Sequence, residues 1–512
     1  MSLASSFPAA RRDEINRPMI TLSIMTATVM IALDTTIANV ALPHMQGSVS
    51  AGADQITWVL TSYIVAAAIL TPLTGWLTGR FGRKNVFLVS VAGFTVASAL
   101  CGIASSLVEL VLFRLVQGMF GAALLPLSQA VLLDINPREK HGQAMAVWGM
   151  GAMLGPIMGP ALGGWLTENL NWRWCFYINV PFGMLALAGI WFFIHGEKQD
   201  RPQKLDFTGF LSLTLCLGAL QMMLDRGELL DWFSSPEIWI EAILAFIGFS
   251  ICTIHTLTAD HPFLPRALFK DRNFATSLLF GFLLGVLIFA TMALLPQLAQ
   301  NLLGYPVLTT GLTMVPRGFG TLIAMFVVGR MVGRMDSRLI LAIGFSLSAF
   351  AMWQMSHFAL NMTPMAMVTA GFIQGVGTGM LFVPLTTVAF STLDPACRPD
   401  GASLYTLIRN IGAAVGISAM QALQIGKTAT LHSNLAEKIL PGSPSLVGTG
   451  IDLATTPGLA SINAEVTRQA QMVAYINVFH LMTLLCLAAM PLLFLLRAPP
   501  RQPAKEVHLA VE

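Results

Sequence analysis

The chain is organised around long apolar runs, and these decide what it can fold into. A helix that crosses a bilayer needs about 20 mostly apolar residues. Reading between charged and Pro/Gly-rich breaks predicts fourteen such spans, at 19–43, 56–79, 86–106, 108–132, 142–166, 175–195, 206–224, 237–257, 274–299, 309–332, 338–358, 363–392, 402–426 and 474–496. Charged residues make up only 11% of the 512, against roughly 25% in an average soluble domain. Too little polar surface is left to face water. A soluble enzyme of ordinary composition, a disordered chain and a disulfide-stapled secreted domain are excluded; an all-α polytopic membrane protein remains.

Lys and Arg set the expected orientation. With the N-terminus inside, 21 of the 29 basic residues fall on inner segments, five on outer ones, and three (Arg114, Arg317 and Arg409) within spans. Both termini are therefore expected to be cytoplasmic. The polar opening MSLASSFPAARRDEINRP is too long to precede a signal-peptide core, so the first span is expected to stay in the membrane. A net charge of +3 is too balanced to suggest nucleic-acid binding. The six cysteines are scattered, without a CxxC pair, and read as small buried hydrophobes rather than metal ligands. No HExxH, P-loop or GxSxG pattern is present. No cofactor and no catalytic residue are expected.

Two segments repeat. GWLTGRFGRK (75–84) follows the second span and GRMVGRMDSR (329–338) the tenth; both read G-x-x-x-G-R-x-x-x-[KR]. QGMFGAALLPLS (117–128) and QGVGTGMLFVPLTT (374–387) form a looser pair that aligns Pro126 with Pro384 and Gly121 with Gly379. The order implies two related six-helix halves, an architecture used by rocking transporters. The expected organisation is a cytoplasmic segment 1–18, an N-terminal half 19–195, an inserted helix pair 196–257, a cytoplasmic loop 258–273, a C-terminal half 274–497 with a periplasmic loop 427–473, and a tail 498–512.

With RLVQG (114–118), GMGAMLGPIMGPALGG (149–164) and LDTTIANVALP (33–43), these loops resemble the major facilitator superfamily, within it the fourteen-helix drug:proton antiporters. FYINVPFG (176–183) and LDRGELLDWFSS (224–235) are similar to multidrug exporters of that branch. The resemblance implies two six-helix halves plus two inserted helices, in a bacterial inner membrane. It implies efflux of hydrophobic drugs in exchange for protons, with a periplasmic adaptor and an outer-membrane channel as partners. It also implies a gating loop at Gly75, Gly79, Arg80, Gly82, Arg83 and Lys84. Gly79 stands where the family usually has an Asp that helps latch the inner gate. A narrow-substrate exporter, of an aromatic acid or a siderophore, and a substrate:proton importer on the same fold stay open.

An intramembrane carboxylate is a functional candidate by default. Asp34 lies about 12 Å from the outer end of the first span and Arg114 about 10 Å from the outer end of the fourth. The matching depths suggest a pair, with Asp34 the proton carrier and Arg114 its tuner; a fixed structural ion pair is the plainer alternative. Gly151, Gly155, Gly159 and Gly163 recur every four residues on one face, with Pro156, Pro160 and Gly164 in the same motif. The resemblance reads this as a tight seam between the halves that limits proton leak; generic small-residue packing is the alternative. Trp58, Gln117, Phe289, Gln297, Arg317, Phe382 and Pro384 are candidate substrate contacts; Arg317 reads equally as a gate contact or a structural residue, Asn410 carries little signal, and Arg409 lies about 10 Å from the inner face, where it can snorkel. Glu241 is expected to face water and Asp206 to cap a helix.

Overall fold

The apolar runs become helices whose ends are set by local chemistry. The computed structural model describes residues 16–52, 55–56, 58–194, 205–260, 262–394, 397–439 and 455–496. The segments 1–15 and 497–512 and the loop centre 440–454 lie outside the described residues, as does the side chain of Pro160. The first half comprises α1 (Arg17–Ser48), α2 (Trp58–Leu70), α3 (Leu73–Phe81), α4 (Arg83–Ile103), α5 (Leu107–Gly121), α6 (Leu124–Ile135), α7 (His141–Asn169), α8 (Trp174–Tyr177) and α9 (Asn179–Phe193). The inserted pair is α10 (Phe207–Arg226) and α11 (Pro236–Thr258). The second half comprises α12 (Arg266–Lys270), α13 (Arg272–Gln297), α14 (Val307–Met331), α15 (Ser337–Met355), α16 (Pro364–Ser391), α17 (Arg398–Ala436) and α18 (Thr456–Leu492).

Each predicted span falls on a helix or a bent helix pair. Among the described residues, eleven helices are long and apolar enough to cross a membrane, and up to thirteen if the two bent pairs each count as one. The predicted fourteen is consistent with this once α17 is included. Pro72 separates α2 from α3, which bend by 58°. The loop into α4 turns at Gly82 with φ +81°, and its second-half counterpart at Gly333 with φ +92°, a conformation that other residues rarely adopt. Side-chain caps start several helices: Ser106 accepts from Glu109 N at α5, Asp271 from Phe274 N at α13. Asp206 caps α10 through Gly209 N and also accepts from Phe263 N at 2.9 Å, with His255 Nε2 2.8 Å away.

Below, the near face is the one at which α1 begins and the far face the opposite one. The two halves meet along α7 and α14. Gly142 lies against Val332, Gly329 against Ala146, and Gly318 against Ile157. The inserted pair packs to one side. α11 turns Phe246, Phe249, Ile254 and Leu257 outward with no protein cover, as a lipid-facing helix does. α10 touches both halves near the far face. Asp225 meets Thr61 of α2, and Ser418 Oγ of α17 donates to the Leu224 carbonyl at 2.6 Å. Glu241 is buried in α11 rather than facing water, because α10 covers that side of the helix. In the predicted 427–473 loop, α17 and α18 continue as helix beyond their spans, by roughly 15 and 27 Å at 1.5 Å per residue. His432 Nε2 and Asn463 Oδ1 lie 3.0 Å apart across this hairpin.

The glycine stripe of α7 does not face the other half. A Cβ on Gly155 would lie 2.0 Å from the Ala32 carbonyl oxygen, and one on Gly159 2.0 Å from Thr36 Oγ1. Gly163 meets Ile37 and Gly151 meets Met25. The stripe is a seam with α1 inside the first half, and Thr36 Oγ1 donates across it to the Gly155 carbonyl at 3.0 Å. The Ala32 backbone and its short, rigid Cβ block the Gly155 site, so Gly155→Ala should destabilise the protein by about 1–3 kcal/mol. Gly164, with open space around its Cβ position, should tolerate Ala without loss. Thermal unfolding of both purified variants in detergent checks the contrast.

Candidate functional site

Side chains from two helices converge on one carboxylate of a third. Asp34 of α1 is 1% exposed. Its Oδ2 accepts from Arg114 Nη1 at 2.8 Å; its Oδ1 accepts from Gln117 Nε2 at 2.8 Å and Asn179 Nδ2 at 2.7 Å. Arg114 and Gln117 lie three residues apart on α5, hence on one helix face, and Asn179 opens α9. Arg114 Nη1 also donates to Gln117 Oε1 at 2.8 Å, and its Nε to the Val59 carbonyl of α2 at 3.2 Å. The guanidinium lies 4.2 Å from the Tyr63 ring centroid. Arg114, Gln117 and Asn179 are each no more than 1% exposed. Asn179 Nδ2 also donates to Ser98 Oγ, while its Oδ1, buried, has no partner.

The predicted proximity of Asp34 and Arg114 is thus a direct bond. Gln117, expected among substrate contacts, is bonded to both Arg114 and Asp34 in this network. Asn179, Tyr63 and Ser98 were not singled out in the sequence. A lone Asn within the apolar run FYINVPFG was the one available signal.

A second cluster joins the halves at the near face. Asp134, at the end of α6, is ion-paired with Arg83 and accepts from Arg398 Nη1 of α17 at 2.8 Å. Two residues on, the Asp400 carboxylate lies against α3: a Cβ on Gly75 would be 1.5 Å from Asp400 Oδ1. The Arg83 of the repeat loop therefore takes part in a cross-half contact. Arg80 lies over Trp76 and Phe81, and Lys84 Nζ donates to the Trp191 carbonyl at 2.8 Å, both within the first half.

In the second half, Phe382 is fully buried and stacks on Trp148 of α7 with ring centroids 5.7 Å apart. Arg409 lies over both rings, 5.6 Å from Phe382 and 6.0 Å from Trp148. Arg317 Nη2 donates to the Ile288 carbonyl at 3.1 Å. Pro384 is buried within α16, and Phe289 and Gln297 are half-buried on α13. Trp58 stands apart from these, beside Arg226 of α10 at 5.4 Å. Among the described residues no group of His, Cys, Asp or Glu could hold a metal ion.

Residues 24–417 match the Major Facilitator Superfamily. The chain belongs to that superfamily. It is a multi-pass membrane transporter and not an enzyme. It is 37% identical to the fatty acid resistance protein FarB of Neisseria gonorrhoeae, covering 94% of this chain and 96% of that one. It is 38% identical to the multidrug export protein EmrB of Haemophilus influenzae (83% and 84% covered) and 35% to EmrB of Escherichia coli (94% and 95%). The fold is also that of the human organic anion transporter MFSD10, at 15% identity with a TM-score of 0.60, covering 92% of this chain and 99% of that one.

Removing one partner of a buried ion pair leaves the other charge uncompensated, at a cost of about 3–5 kcal/mol. Arg114→Ala should therefore be strongly destabilising. Adding Asp34→Asn to Arg114→Ala should recover much of the loss, because the stranded charge is gone. Melting temperatures of the two single variants and the double in detergent give the coupling; strictly additive losses would contradict it.

Proposed function

We propose that this superfamily member is a proton-driven exporter of hydrophobic small molecules, working by alternating access across a bacterial inner membrane with both termini in the cytoplasm. The observation that carries the reading is the closed network around Asp34, a lone carboxylate buried in a membrane helix and held by three side chains from two other helices. The names of the Haemophilus and Escherichia relatives support multidrug export. The name of the Neisseria relative favours a second, narrower reading, export of fatty acids.

The coupling runs through packing. Protonated Asp34 no longer holds Arg114 by charge, and its new O–H needs an acceptor. The unbonded Asn179 Oδ1 can supply one once the amide turns. Ala32 and Thr36 flank Asp34 and sit on Gly155 and Gly159 of α7, whose other side lies on α14. A shift of α1 is thereby passed to the seam between the halves. The near-face cluster of Arg83, Asp134, Arg398 and Asp400 acts as the inner gate. Asp400, contributed by α17, does the work that an acid at Gly79 does elsewhere in the family.

Transport of a lipophilic dye into inverted proteoliposomes under an imposed pH gradient tests the proposal. Wild-type uptake should follow the gradient. Asp34→Asn should lose it while keeping dye binding. Wild-type uptake that ignores the gradient would rule out proton coupling, and uptake that follows it in both proteins would move the proton site elsewhere.

The finer partner assignment is an EmrA-like periplasmic adaptor, with an outer-membrane channel beyond it. The α17–α18 hairpin is the surface proposed for adaptor contact. Deleting 440–454 should abolish co-purification with the adaptor while leaving dye binding unchanged; undiminished co-purification would exclude the hairpin tip.

A further inference from the structure

The second half buries two guanidiniums without a counter-charge. Arg409 is 6% exposed and Arg317 9%. Neither has a carboxylate partner among the described residues. Arg317 has the single bond to the Ile288 carbonyl. Arg409 Nε is buried with no acceptor, and its guanidinium has only the rings of Phe382 and Trp148 beneath it. Guanidinium keeps its proton at any working pH, so neither residue can escape the cost of burial by neutralising. Arg114 in the first half shows what a satisfied intramembrane arginine looks like here: an acid, an amide and a carbonyl around it.

The two arginines pack on the same stretch of α13. The Arg409 backbone crosses α13 at Gly285, and Arg317 bonds to Ile288 three residues further on, about 4.5 Å along the helix. Tyr405, one turn before Arg409 on the same face of α17, has a buried hydroxyl with no partner. Trp148 comes from the other half, so the guanidinium of Arg409 points into the space between the halves rather than toward lipid.

We propose that Arg409, supported by Arg317, forms an anion subsite for amphipathic carboxylates. The planar guanidinium fork matches a carboxylate, and the stacked rings of Phe382 and Trp148 receive the apolar body. This deepens the exporter reading and rests on it for the direction of transport; the binding step itself needs no gradient.

Equilibrium binding of 2-naphthoate and of its neutral isostere 2-naphthamide to the purified full chain in nanodiscs, read by Trp fluorescence and calorimetry, tests it. Wild type should bind the carboxylate about tenfold or more tighter than the amide, as a charge-assisted pair in a dry site allows. Arg409→Gln should remove that preference by weakening the carboxylate about tenfold more than the amide, Arg409→Lys should keep part of it, and Arg317→Gln should reduce it. Equal wild-type affinity for the two probes overturns the proposal without needing any variant, as does an Arg409→Gln protein that weakens both alike. Loss of gradient-driven transport with the carboxylate preference intact would instead count against the exporter reading alone.

Discussion

A bilayer interior offers no water to a charge, and the pairing of Asp34 with Arg114 is how the first half meets that constraint. Each charge is meaningful only beside the other, and the remaining donors and acceptors of both must also be filled. Gln117, Asn179 and the Val59 carbonyl fill them. The result ties α1, α2, α5 and α9 together at one depth. Apolar packing around the network supplies most of the burial, but it has no directional preference. The hydrogen bonds fix which rotation of each helix is the right one. The glycine seam then follows. With α1 held by Asp34, Ala32 and Thr36 face α7, and only glycine at 155 and 159 lets the backbones meet.

The contacts between the halves are of a different kind at different depths. Mid-membrane, small residues and carbonyls on α7 and α14 approach closely, a surface that can slide or rock but has nothing to break. At the near face the contacts are ionic and partly wet: Arg83 and Asp134 keep about a quarter of their side chains exposed. Ion pairs that water can reach are cheap to exchange. Near the far face, α10 spans α2 and α17 through one hydroxyl on each. The inserted pair is therefore more than a passive annex, since its inner helix touches both moving bodies.

Much of this was legible in the sequence, for physical reasons. Twenty-residue apolar runs have few outcomes, so the helices could be counted, and two lone charges at equal depth predicted the Asp34–Arg114 bond. Asn179 was harder, because one amide in an apolar run carries no sign and no partner in its neighbourhood of sequence. The stripe at Gly151, Gly155, Gly159 and Gly163 predicted a close approach but not the neighbour. Periodicity gives a face, and only the tertiary arrangement says that α1 lies there and not the second half. Glu241 was expected in water because it lies near a helix end, but depth alone does not reveal that α10 covers it. The role of Asp400 against Gly75 joins residues more than three hundred positions apart, and no local pattern announces it.

The duplication raises the question of why the two halves treat charge so differently. Arg114 has its acid; Arg317 and Arg409 have none among the described residues. The proton chemistry of the side chains supplies an answer. A carboxylate can change charge at accessible pH, whereas a guanidinium does not. Among the described residues, the buried mid-membrane charges of the second half, Arg317 and Arg409, keep their protons and present a constant positive field to whatever enters between the halves. A half with a paired acid can carry a proton, and its pairing changes when it does. On the proposed reading, the first half senses protons and the second senses cargo. The stacked pair of Trp148 on α7 and Phe382 on α16 sits where the two meet. α7 also packs through its glycine seam on Ala32 and Thr36, which flank Asp34, so on that reading a single helix borders both the proton site and the cargo site. On the proposed reading, that arrangement lets one helix report each half's state to the other without direct contact between the two charges.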